Sequence, residues 1–173
     1  MNKYLSFIGY QGPNTLFAFI ILALLYFDSN TSTTLYIAVF LWQISSHLIN
    51  ITIKNILKHP RPDTYDDDRK SDEFTKLQNS ITWKNYLIIH RNFGMPSGHA
   101  QAVMSELTFL ALYFQNPLLI SGAIMQVALT LYQRYNKRRH TIKQLATGSA
   151  LGIIVGAVFY QGVKMCKKQD KLE

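Results

Sequence analysis

The stretch Gly94-Met95-Pro96-Ser97-Gly98-His99-Ala100-Gln101 interrupts a series of hydrophobic blocks near the middle of a 173-residue chain. Pro fits the first turn of a helix, where its missing N–H would have no partner anyway. Ser97 is a helix-start residue type and Gly98 leaves the backbone uncovered, so the stretch reads as the beginning of a helix. Unpaired N–H groups at such a start, aided by the helix dipole, make a site for an anion. His99 adds a group that titrates near neutrality beside that site. Lys54-x6-Arg61-Pro62 lies ahead of it and Arg134-x5-His140-x3-Gln144 behind. Two basic clusters, a helix-start anion site and two histidines predict a phosphate pocket with a nucleophile and an acid.

The blocks on either side read as membrane spans. Residues 15–27 carry no charge, and extension back to about residue 8 gives roughly 20 residues, the length a hydrocarbon core requires. Residues 33–53 form a second span, polar enough through Gln43, Ser45, Ser46, His47 and Asn50 that one face must look inward. Residues 97–114, 117–132 and 145–163 supply three more. The fold expected is therefore an all-α, multi-pass transmembrane helical bundle of about five spans. It forms one domain over residues 1–173, with a motif region 54–144, a polar loop 63–85, an interfacial segment 83–93 and a basic tail 164–173. Gly148, Gly152 and Gly156 recur every four residues on the last span and predict close helix packing. The second span ends at Lys54, the third begins at Ser97, the fourth ends near Arg134 and the fifth follows His140. Hydropathy and chain order alone thus place all three clusters on one face of the membrane.

Composition narrows the partners. The formal net charge of +8 suits nucleic acid, anionic lipid or a phosphorylated substrate. Hydrophobic blocks beside that charge favour the bilayer and a membrane lipid over nucleic acid. A single cysteine, Cys166, rules out an intrachain disulfide and predicts no metal cluster. Asp66-Asp67-Asp68 lacks the spacing of a calcium loop and reads as solvated. No metal and no cofactor is expected. Residues 11–14 break the N-terminus before the first apolar run, so that run reads as a retained span.

The spacing within each cluster carries its own chemistry. Lys54 and Arg61 are seven apart and share a helix face if the second span continues through them. His140 and Gln144 are i and i+4, so the Gln carbonyl could accept the imidazole N–H and fix its tautomer. His47 is expected to pack or hydrogen-bond inside the bundle, and His59 and His90 to lie at the surface.

The combination of motifs resembles the type 2 phosphatidic acid phosphatase superfamily, which includes membrane lipid phosphatases, glucose-6-phosphatase and vanadium haloperoxidases. That family carries Lys-x6-Arg-Pro, Pro-Ser-Gly-His and Ser-Arg-x5-His-x3-Asp in this order. The first two stand complete as Lys54, Arg61, Pro62 and Pro96, Ser97, Gly98, His99. In the third, Arg134 and His140 match, while Gln133 replaces Ser and Gln144 replaces Asp. The dolichyl-diphosphatase branch looks similar in having Gln at the last position and Gly-Met-Pro-Ser-x-His-x-Gln as its second motif.

What the resemblance implies is a haloperoxidase-like helical core and an integral membrane phosphatase acting through a phosphohistidine. His140 would be the nucleophile, with Gln144 on its other nitrogen, and His99 the acid and then the base. Lys54, Arg61, Arg134, the Ser97 hydroxyl and the Gly98 N–H would hold the phosphate oxygens. Polyprenyl (dolichyl) diphosphate stands ahead of phosphatidate as substrate, and a catalytically silent lipid-phosphate-binding protein is the alternative. Orientation stays open. Fourteen of the 18 basic residues fall on the motif side, favouring a cytoplasmic site, whereas the resemblance implies the lumenal face of the endoplasmic reticulum membrane. Oligomeric state is not legible.

Overall fold

Six helices make up the described residues, 3–28, 32–62 and 93–169 of a computed structural model. They are α1 (Lys3–Tyr10), α2 (Gly12–Phe27), α3 (Thr33–Leu57), α4 (Gly98–Phe114), α5 (Pro117–Asn136) and α6 (Ile142–Gln169). The acidic run 66–68, the polar loop 63–85, His90, all of the interfacial segment but Phe93, and the end of the basic tail lie outside the described residues.

Local chemistry explains the helix starts. Ser97 caps α4, accepting from the Ala100 N–H. Asn116 caps α5 through bonds from the N–H groups of Leu118 and Leu119, with Pro117 in the first turn. Pro13 plays the same part in α2, and here the expectation of one continuous first span fails. In an unbroken helix the Pro13 ring would collide with the Gly9 carbonyl, so the chain bends by 61° between α1 and α2. The bent pair lies against α5, where a Cβ on Gly9 would come within 2.7 Å of Gln133 Cβ.

Length and apolarity support fewer spans than the five expected. Among the described residues α3 and α6 are long and apolar enough to cross a bilayer, and the α1–α2 pair qualifies as a bent third. The reason lies in what the inner helices bury. α4, 17 residues long, encloses Gln101, Ser105 and Glu106, and α5 encloses Gln126, Thr130, Gln133 and Arg134. Those side chains lower the mean apolarity of helices that other helices shield.

An apolar core runs through Leu16, Ile20 and Leu24 of α2, Val39 and Trp42 of α3, and Val103, Phe109 and Leu110 of α4. Trp42 stacks on Phe159 of α6 at 4.5 Å between ring centroids, and Phe109 lies 5.1 Å from Phe159. At the end of the bundle away from the motifs, Lys167 and the Tyr113 hydroxyl both donate to Asp28 Oδ2, at 2.8 and 2.6 Å. That knot ties α4 and α6 to the end of α2.

The glycine stripe of α6 meets the backbone of α4, as its spacing predicts. A Cβ on Gly148 would sit 3.0 Å from the Ser97 nitrogen, and one on Gly152 3.0 Å from the Ser105 nitrogen. Gly162, on the same helix, has nothing within 4 Å of the corresponding point. Gly152→Ala should therefore destabilise by about 1–3 kcal/mol, since backbone cannot move aside as a side chain can. Gly162→Ala should instead gain up to about 1 kcal/mol of helix propensity. Thermal unfolding of the two variants in detergent, which should shift in opposite directions, checks this.

Candidate active site

The ends of five helices and the segments after α3 and before α6 converge on a cavity of about 350 Å³. Lys54, Arg61, Gly98, His99, Arg134 and His140 all line it, so the structure brings together six of the eight expected site residues. On α3, Ser46, Asn50 and Lys54 are buried at intervals of four, which directs the Lys54 ammonium inward along the helix face that also buries Val39 and Trp42. Arg134, also buried, ends α5. No carboxylate is among the residues lining the cavity.

Arg61 reaches the site differently from expectation. α3 stops at Leu57, and Lys58, with φ of 45°, turns the chain out of the helix. Arg61 therefore sits on a loop rather than two turns along the same face, its Nη1 donating to the Arg139 carbonyl at 3.0 Å. Pro60 pairs as an isolated antiparallel bridge with Phe93, and the Gly94 N–H donates to the His59 carbonyl at 2.8 Å. The segment after α3 is thus strapped to the segment before α4.

His140 is 3 % exposed and precedes α6. Its Nδ1 lies 2.9 Å from the Gly94 carbonyl. A carbonyl can only accept, so Nδ1 carries the proton and Nε2 keeps its lone pair. Burial first, then the charges of Arg61, Arg134 and Lys54, hold this imidazole neutral, its pKa lowered to about 2. A neutral imidazole with a free Nε2 is a competent nucleophile.

The expected contact between Gln144 and His140 is not made. α6 begins only at Ile142, so the two residues are not helical neighbours. Gln144 instead completes a capping box with Thr141: its N–H donates to Thr141 Oγ1, and its Oε1 accepts from the Thr141 N–H, each at 3.2 Å. Its Nε2 donates to the Pro60 carbonyl at 2.7 Å and lies 3.2 Å from His59 Nδ1. Ser97 does not line the cavity either. It is fully buried, its hydroxyl spent on the α4 cap and its N–H on the Gln144 carbonyl at 3.1 Å.

Seven residues outside the expected set line the cavity, Tyr10, Asn50 and His47 among them. Tyr10, at the end of α1, lies 5.3 Å from the His99 ring between centroids and 5.7 Å from the Arg134 guanidinium carbon. His99 also hydrogen-bonds to the Tyr10 backbone. Asn50 lines the cavity and donates to Gln101 Oε1 at 2.6 Å, while Gln101 donates to the Ser46 carbonyl at 2.8 Å. This network locks α3 to α4 below the catalytic end. His47, expected to pack within the bundle, is exposed on the cavity wall. Asn50 stands one turn before Lys54 and was open to discovery by that spacing. Tyr10 carries no signal beyond its nearness to the Gly12-Pro13 break.

Comparison with known proteins adds family evidence. The PAP2 superfamily matches residues 33–168. The chain is 25% identical over 128 residues to a protein of Saccharomyces cerevisiae named dolichyldiphosphatase, covering 68% of this chain and 47% of that protein. It spans about half the length of that relative. No solved structure matches.

Proposed function

The chain belongs to the PAP2 superfamily, and from that premise we propose that it is an integral membrane phosphatase acting on a lipid phosphate or diphosphate. One observation carries the reading. A cavity with three cations, a neutral nucleophilic imidazole and a second histidine opens at one end of a bundle whose outer surface is apolar. A phosphorylated head can enter there while its tail stays in the bilayer.

The reaction has two balanced steps. His140 Nε2 attacks the terminal phosphorus as the bond to the leaving oxygen breaks, and that oxygen takes a proton from His99. His99 then removes a proton from water. The water oxygen attacks phosphorus, the N–P bond breaks, and inorganic phosphate departs with His140 restored. Lys54, Arg61, Arg134 and the N–H groups at the start of α4 spread charge away from the non-bridging oxygens. The motif agreement with the dolichyl-diphosphatase branch and the yeast relative's name both favour polyprenyl diphosphate over phosphatidate. An endoplasmic reticulum membrane belongs to the same reading.

Phosphate release by the detergent-purified protein, with EDTA present, tests it. Polyprenyl diphosphate should be hydrolysed at least about tenfold more efficiently than polyprenyl monophosphate, phosphatidate or a soluble sugar phosphate, a preference of about 1.4 kcal/mol. Preference for phosphatidate would move the substrate and keep the chemistry. No release from any of them by folded protein would overturn the enzyme and leave a lipid-phosphate-binding protein.

A further inference from the structure

We propose that the Gly94 backbone carbonyl, not the side chain at position 144, orients the nucleophile in this chain, and that Gln144 is a positioning residue for the Arg61 loop. The proposal deepens the phosphatase reading and rests on it for the word nucleophile.

Hydrogen-bond accounting carries it. A Gln side chain offers two donors and one acceptor oxygen. Here the oxygen serves the Thr141 N–H, and the NH2 group faces the Pro60 carbonyl at 2.7 Å and His59 Nδ1 at 3.2 Å. The oxygen keeps a second lone pair, but the one Nδ1 proton of His140 already goes to the Gly94 carbonyl at 2.9 Å. The same accounting explains why an amide stands at 144. A carboxylate would still accept from Thr141, but its second oxygen would meet the Pro60 carbonyl, acceptor against acceptor.

Gly94 is fitted to this arrangement by space. No glycine in the described chain has positive φ, so backbone freedom is not the reason. A Cβ at 94 would fall 2.6 Å from Gln144 Cδ, in the place that the amide occupies. One residue thus donates its N–H to His59, accepts from His140 through its carbonyl, and yields its side-chain space to Gln144. Pro60, held by Gln144, is bonded directly to Arg61, whose guanidinium is tied to Arg139 on the far side. Loss of the Gln144–Pro60 bond therefore loosens a phosphate ligand and leaves the imidazole in place.

The two roles separate experimentally. Full-length protein labelled with 15N-histidine reports the His140 tautomer by NMR, and orthovanadate, a phosphate analogue, reports the anion site without turnover. In the wild type His140 should be the Nδ1–H tautomer. Gln144→Glu keeps the capping acceptor and removes the donor, so the tautomer should persist. Vanadate binding should weaken and KM should rise about tenfold, the worth of one buried hydrogen bond, with kcat little changed. Gly94→Ala should lose the single tautomer and depress kcat. If Gly94→Ala does not fold, Gln144→Glu decides alone. A changed tautomer in Gln144→Glu, or a kcat raised by Gln144→Asp, overturns the proposal. Failure of the phosphatase reading would show separately, as a wild type that binds vanadate yet hydrolyses nothing.

Discussion

His140→Ala should lower phosphate release by at least ~1,000-fold while the protein still folds, since removal of a covalent nucleophile removes the whole pathway. His47 and His99 also line the cavity; the Nδ1 of His140 is held by the Gly94 carbonyl, which leaves its Nε2 lone pair for attack. His140→Gln gives a second arm: it retains an N–H for the Gly94 carbonyl and fills the space, so its loss of activity cannot be blamed on a collapsed site. The chemical signature is a phosphohistidine, trapped by rapid quench from substrate labelled in its terminal phosphate. Wild type should form it and both variants should not. Residual label in either variant would transfer the nucleophile to another group.

His99→Gln should cost about 10²–10⁴-fold, the usual worth of positioned acid–base catalysis. The effect should depend on the leaving group. A lipid monophosphate expels an alkoxide, which needs a proton, whereas a lipid diphosphate expels a phosphate monoester, which needs one far less. The loss should therefore be greater on the monophosphate. With the diphosphate, the variant should still make its phosphohistidine but hydrolyse it slowly, since the proposed mechanism also gives His99 the activation of water. Accumulated label at steady state, absent from the wild type, is the measurement. Equal losses on both substrates with no accumulation would remove His99 from proton transfer. Its contact with Tyr10 would then be its main role.

Much of this site is legible from residue spacing because the structure repeats that spacing. Ser97 and Gly98 start α4, Gly148, Gly152 and Gly156 meet α4 at single-turn intervals, and Lys54, Arg134 and His140 reach one cavity from separate elements. The failures have physical causes. The spacing of His140 and Gln144 predicts helical neighbours, but Thr141-x-x-Gln144 is itself a helix-start signature that places His140 outside the helix. Lys54 and Arg61 share a face only if α3 continues; Pro60 and Pro62 announce its end and Arg61 at the rim, while the left-handed turn at Lys58 that stops it two residues earlier leaves no mark in the residue types. The bend before Pro13 was visible as a breaker, but hydropathy averages across it. Tyr10 and the Gly94 carbonyl were beyond reach for a simpler reason. A ring contact across more than eighty residues and a backbone acceptor leave no mark on composition or period.

The close approach of α6 to α4 bears on how the site can move. The helix carrying His99 lies with its backbone, and the Cβ atoms of Ala100, Met104 and Thr108, directly against the glycines of the helix that His140 introduces, so little there can repack. Lys54 and Arg61 come instead from α3 and the loop beyond it, held to that pair through hydrogen bonds and side-chain contacts. The bundle thus divides into a stiff axis, along which bonds are made and broken, and a compliant collar of charge around it. Such a division predicts that head groups of different bulk displace the charged collar before they disturb the alignment of the two imidazoles.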